Sequence, residues 1–318
     1  MKLLRHISIL IFLGLTSPVF ANEKPLNSQM DILTSIHPLA ILVREAFGDL
    51  VKAEALLPPQ VSPHHYALRP SDVQRLASTD LFIWVGPQLE AFLVSPLKSN
   101  APKATLSLID FFEHSNPNSL IHLEKDNHHH HAIEQIIDQT DSNSDHFDHS
   151  DSSSEHTVDA HLWLSRNNAL AIVAKVGNSL VASGIDRPVV EEKISAFRLK
   201  LLKSTDGLAV QAIGLNLITY HNAFAYLARD NNLTISDVVA PQTEVTPGAK
   251  HLISISEKAE SEKACVVVEP QFTQGIVNKV FRQKEVRVIE IDPLAGSYNS
   301  YTDFYKETLE KLLSCRAP

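Results

Sequence analysis

Two α/β lobes joined by a long helix are what the sequence predicts. Three observations carry this. Short apolar runs alternate with helically patterned segments before residue 116 and again after residue 214, the pattern of parallel sheets with helices on their faces. Between them, residues 187–211 read as one uninterrupted helix. The chain has 318 residues and 44% hydrophobic content, enough for two cores.

In the first lobe, the runs at 32–36, 53–57, 81–85 and 104–108 have strand length. Segments 39–47, 69–78 and 90–97 between them are helical. Val73, Leu76 and Ala77 share one side of the second helix, which follows Pro70. From Asn116 to Asp159 the character changes to Ser, Asn, Asp and His. This stretch holds KDNHHHHAIEQ at 125–135 and DSNSDHFDHSDSSSEH at 141–156. It has too little apolar surface to offset its ordering entropy, so a loop is expected. Regular structure resumes at His161-Leu162-Trp163-Leu164, and a helix follows at 167–183.

The long helix at 187–211 carries Val190, Ile194, Phe197 and Leu201 at three- and four-residue steps, with Pro188 in its first turn. The alternation then restarts. Strands are expected at 215–219, 265–268 and 286–291, with a weaker one at 235–239. Helices are expected at 223–229, 248–263, 273–282 and 302–314. Thr246-Pro247 is a good cap and first position for the second of these. The resulting division is a signal segment at 1–21, an N-terminal lobe at 28–185, the interlobe helix at 186–213 and a C-terminal lobe at 214–318.

The opening MKLLRHISILIFLGLTSPVFA has a positive start, a short apolar run and small residues at the cleavage positions. It reads as a secretory signal peptide cleaved near Ala21 rather than a membrane anchor. The expected location is the periplasm. The net charge is −9, and losing Lys2 and Arg5 with the signal leaves 26 basic against 37 acidic residues, or −11. So acidic a chain lacks the basic face that nucleic acid needs. The two cysteines, Cys265 and Cys315, would meet an oxidising compartment, so one disulfide is expected. The rival is a pair of free thiols acting as soft metal ligands.

Of the 16 histidines, ten fall between His114 and His161. His64 lies in a turn after the second strand, and His221 in another where a strand ends and a helix begins. Asp292 lies beyond the last strand. Ligands of open α/β sheets bind beyond the carboxyl ends of the strands. Three imidazoles (His64, His161, His221) and one carboxylate (Asp292) make a tetrahedral zinc set. The alternative is that each is a satisfied polar residue at a lobe interface. His65 and His37 are rival ligands. Glu269, in VVEPQF, reads as a strand-end residue before Pro270 rather than a neighbour of the site. Trp84, Trp163 and Tyr220 read as core or as packing near the site.

PHHYALRPSD, LFIWVGPQLEAF, AHLWLS, YHNAFAYL, EVTPGAKHL, EPQF and DPL follow in order between residues 32 and 315. Together they resemble the ZnuA-type zinc-binding periplasmic components of ABC importers. The resemblance implies a C-clamp with a rigid interlobe helix, not an enzyme. It implies His64, His161 and His221 as metal ligands, with Asp292 at the site, and a disulfide at the cysteine pair. It also implies zinc as the transported ligand, a membrane permease as partner and a monomer. Three neutral imidazoles require that binding weaken as pH drops through about 6. Pro63, Asn222 and Arg166 depart from the family pattern, and none removes a principal ligand. The fourth position is Asp292 or water. The run His128, His129, His130 and His131 is a weak auxiliary site, a sensor or buffer, or an inert insertion. A zinc hydrolase, a zinc buffer without a transporter, and a manganese importer are the competing functions. No HExxH motif supports the first, and His221 disfavours the last.

Overall fold

The computed structural model describes residues 29–64, 66–123, 157–241, 247–272, 275, 280–281 and 286–316. The expected signal segment, His65, the histidine run 128–131, Thr246 and nearly all of the expected helix at 273–282 lie outside them. No helix among the described residues is long and apolar enough to cross a membrane.

The first sheet is fully parallel, ordered β2-β1-β3-β4, from Met30–Thr34 (β1), Val51–Ala55 (β2), Leu81–Trp84 (β3) and Thr105–Ser107 (β4). Its helices are His37–Phe47 (α1), Pro70–Ser78 (α2), Val94–Ser99 (α3) and Leu108–Ser115 (α4). The β3 sequence LFIW is apolar throughout because both faces of the sheet are covered. Leu81 and Ile83 enter the main core, while Phe82 and Trp84 join Leu56, Leu57, Leu76 and Leu93 on the other face.

Helix α4 is absent from the sequence reading. It follows β4 without a break, and Ser107 caps it by accepting from the Asp110 amide. The stretch from Asn116 to Asp159, expected as a loop, carries regular structure at both of its described ends. Pro117–Ser119 form a 3-10 turn, and His122–Leu123 (β5) pairs antiparallel with Thr157–Val158 (β6), so the base of the insertion is a two-residue ladder.

Arg166–Ala182 (α5) leads into Arg187–Ala212 (α6), 26 residues long. The second sheet is also parallel, ordered β10-β9-β7-β8, from Asn216–Thr219 (β7), Thr234–Val238 (β8), Cys265–Val268 (β9) and Val288–Glu290 (β10). Its helices are Ala225–Asn231 (α7), Ala249–Ser261 (α8) and Tyr301–Leu313 (α9). Two sheets with flanking helices, joined by α6, are the architecture read from the sequence.

One apolar cluster runs through both lobes. It includes Ile32, Leu42 and Phe112 from the first, Phe197 and Leu201 from α6, and Leu217, Phe224 and Leu309 from the second. Polar locks reinforce it. Glu45 of α1 accepts from the Thr302 amide (2.9 Å) and the Ser300 hydroxyl (3.1 Å) at the start of α9, and pairs with Lys200 of α6 at 2.7 Å. Burial pushes the Glu45 carboxyl up, but Lys200 and the Thr302 amide outweigh this and hold it below its ordinary value. Cys265 and Cys315 form the expected disulfide, with a Cα separation of 5.8 Å.

Candidate metal centre

The strand ends of both lobes converge on one cleft. His64 sits between β2 and α2, reached through the proline-containing segment Pro58-Pro59-Gln60-Val61-Ser62-Pro63. His161 immediately precedes the 3-10 turn Leu162–Leu164. His221 follows β7 by two residues, and Glu269 follows β9 directly.

One nitrogen from each of His64, His161 and His221 lies within 4.8 Å of the others. The Nε2 atoms of His161 and His221 are 3.3 Å apart. Two donors about 2.0–2.1 Å from a tetrahedral zinc ion stand about 3.3–3.4 Å apart, so this spacing suits a shared ion. His161 and His221 are buried and His64 is half-buried.

The other ring nitrogens explain the orientation. His161 Nδ1 donates to Asp159 Oδ1 at 2.9 Å, and the His161 amide donates to the same oxygen at 2.9 Å. His221 Nδ1 lies 2.7 Å from Glu269 Oε1 and 2.6 Å from Oε2. A carboxylate in this role only accepts, so both rings carry their proton on Nδ1 and turn the Nε2 lone pair toward the cleft. Aromatic walls hold the rings in place. The Trp163 ring is 5.3 Å from His161, and the Phe272 ring is 5.1 Å from His221 and 5.0 Å from Tyr220. The Trp163 indole also bridges the lobes, donating to the Pro293 carbonyl at 2.8 Å. The cavity lined by His64, His161, Trp163, His221, Glu269 and Phe272 measures about 20 Å³. That holds a single water or ion, far less than a substrate pocket.

The family profile for the periplasmic zinc-uptake complex component A matches residues 32–315. The chain belongs to the ZnuA family. The Yersinia pestis high-affinity zinc uptake system protein ZnuA is 30% identical over 303 residues, covering 89% of this chain and 90% of its own. The Haemophilus influenzae protein of the same name is 27% identical with both chains covered in full. A ZnuA crystal structure superposes with a TM-score of 0.70 at 22% identity, covering 90% of this chain and 99% of that one. A ZnuA deletion mutant with zinc bound gives a TM-score of 0.69 at 21% identity, covering 92% of this chain and 99% of that one.

On this ZnuA-type scaffold Asp292 does not join the three histidines. Its Oδ1 accepts from Gln271 Nε2 (2.5 Å) and the Leu294 amide (2.9 Å), and its Oδ2 accepts from the Gly296 amide (2.7 Å). The carboxylate is held by its own turn and by Gln271, and the turn presses on the His64 segment. A Cβ on Gly296 would lie 3.2 Å from the Pro59 carbonyl and 3.0 Å from Asp292 Oδ2. His37 is also elsewhere, with Nε2 bound to the Tyr298 carbonyl at 2.8 Å across the lobes.

Glu269 corrects its sequence reading. It is buried at the site and orients His221, rather than merely ending a strand. Asp159 is absent from the sequence reading. The signal for it was local, an acid two residues before a candidate ligand in DAH. Among the family departures, Arg166 donates to Thr205 (2.9 Å) and Asp206 (2.6 Å), tying the start of α5 to α6.

Proposed function

We propose that this chain captures Zn²⁺ between its lobes and delivers it to a membrane ABC permease. The observation that carries the reading is the pair of Nε2 atoms 3.3 Å apart, each on a ring fixed through Nδ1 by a buried carboxylate. Lone pairs set face to face at that distance are satisfied by a shared cation. His161 and His221 form the rigid half of the site. His64, on the segment from the first lobe, supplies the third imidazole, and Nε2 is the donor atom of the two fixed rings. A water takes the fourth position unless Asp292 leaves its turn.

Three imidazoles favour zinc over manganese. A cavity of about 20 Å³ leaves no room for an ester or amide, which argues against a zinc hydrolase. The named relatives are zinc uptake proteins, which supports delivery to a transporter over passive buffering. The same reading places the chain in the periplasm as a monomer, cleaved near Ala21. Its lobes are 28–185 and 214–318, joined by 186–213, with His128–131 as a weak accessory.

The test is growth under zinc limitation. A strain lacking this chain but retaining the permease should fail to grow on chelated medium. The wild-type chain should restore growth, and a His161→Ala, His221→Ala double variant should not. Normal growth of the deletion strain would favour the buffer reading.

A further inference from the structure

Each fixed histidine rests on a carboxylate that is 1% exposed, Asp159 for His161 and Glu269 for His221. Ring orientation alone does not require a charge, since a backbone carbonyl or an amide oxygen can hold an Nδ1–H equally well. Carboxylates are the costlier choice in a buried position unless a positive charge lies close by. Asp159 makes the point twice. Its Oδ1 takes both bonds from His161, while its Oδ2 is buried with no hydrogen-bond partner among the described residues.

We propose that Asp159 and Glu269 determine which cations the cleft accepts, by supplying the two negative charges that balance a divalent ion on three neutral imidazoles. A divalent ion then makes the set of five side chains, three imidazoles and the two carboxylates behind them, neutral. A monovalent ion leaves it one unit negative and a trivalent ion one unit positive, and either residual charge is penalised where water is scarce. The three imidazoles select by ligand softness, and the two carboxylates behind them select by charge. Both are positioning residues that act through a histidine. The inference rests on the zinc-binding reading and deepens it.

The test uses the full chain with Asp159→Asn, Glu269→Gln and the double variant. Asn and Gln keep an oxygen that can accept from Nδ1–H, so they remove charge while preserving ring orientation. Zn²⁺ and Ag⁺ affinities are measured by chelator competition in chloride-free buffer, Ag⁺ serving as a redox-inert monovalent probe. A His161→Ala, His221→Ala variant defines binding elsewhere on the chain. Each single variant should lose about 10–100-fold in Zn²⁺ affinity. Ag⁺ affinity should fall by less than about threefold, because the penalty for a monovalent ion is removed together with the attraction. The Co²⁺ absorption of Glu269→Asp, which keeps the charge, should remain tetrahedral, and its Zn²⁺/Ag⁺ ratio should stay near the wild-type value.

Equal losses for both ions would mean that the carboxylates act only as supports, and would overturn the proposal. Unchanged Zn²⁺ affinity in the double variant would overturn it too. Zn²⁺ binding that is as tight in the His161→Ala, His221→Ala variant as in the wild-type chain would instead overturn the zinc-site reading itself.

Discussion

His161 and His221 are 60 residues apart in sequence and 3.3 Å apart at Nε2. Removing either by alanine should lower Zn²⁺ affinity by more than about 100-fold in chelator competition, exceeding the usual effect of an outer partner. His64 and His221 were legible as histidines in strand-to-helix turns, whereas His161, at the edge of the polar stretch, was marked by the resemblance of AHLWLS. Their partners were less so. His221 finds Glu269 48 residues further on, and only the adjacency of β7 and β9 brings them together. Glu90 is a different case, a carboxyl outside the lining of the cleft cavity. It is fully buried and accepts from the Val85 and Gly86 amides. Burial pushes it up from 4.5 to about 7. A raised carboxyl binds a proton in the folded chain that the unfolded chain has lost, so stability falls as pH rises from about 4.5 to 7. Glu90→Gln should flatten that part of the pH–stability curve, the two proteins diverging by about 2–3 kcal/mol across it in denaturant titrations.

At the scale of elements, the helices set the lobes and the locks between helices fix their relation. The periodicity of α6 was plain from Val190, Phe197 and Leu201, all of which are buried. Helix α4 was not plain, because its first residues continue the apolar run of β4 and the change of period falls within two or three residues. The β5–β6 ladder is too short, at two residues a strand, to show alternation. Glu45 is the lock most open to test, since it caps α9 from α1. Its lowered carboxyl contributes stability that is present above the unfolded value of about 4.5 and lost as pH falls through the lower folded value. Glu45→Gln should therefore destabilise by about 1–2 kcal/mol at pH 7 and by less at pH 3, measured by thermal unfolding with calorimetry.

Over the whole molecule, one core spans both sheets and the disulfide ties the C-terminal turn Ser314–Arg316 to β9. Cys265 opens β9 while Glu269 follows its end, so the bond and the site sit at opposite ends of one strand. Breaking it with a Cys265→Ser, Cys315→Ser pair should cost about 4 kcal/mol by loop entropy, given its 50-residue separation. Zn²⁺ affinity should stay within about threefold of wild type if the core alone holds the cleft. The two-lobe plan was readable from composition and period. The way the lobes share a core was not, because pattern assigns residues to faces without saying which faces meet.

The measurement that bears most directly on the central claim is zinc titration of the chain without residues 1–21 against a competing chelator. It is run beside a variant lacking residues 124–156 and one carrying His161→Ala with His221→Ala. One tight site should survive the deletion and vanish with the two alanines. Tight binding that disappears with residues 124–156 and persists in the alanine variant would contradict the account, and would move the functional site to the histidine run.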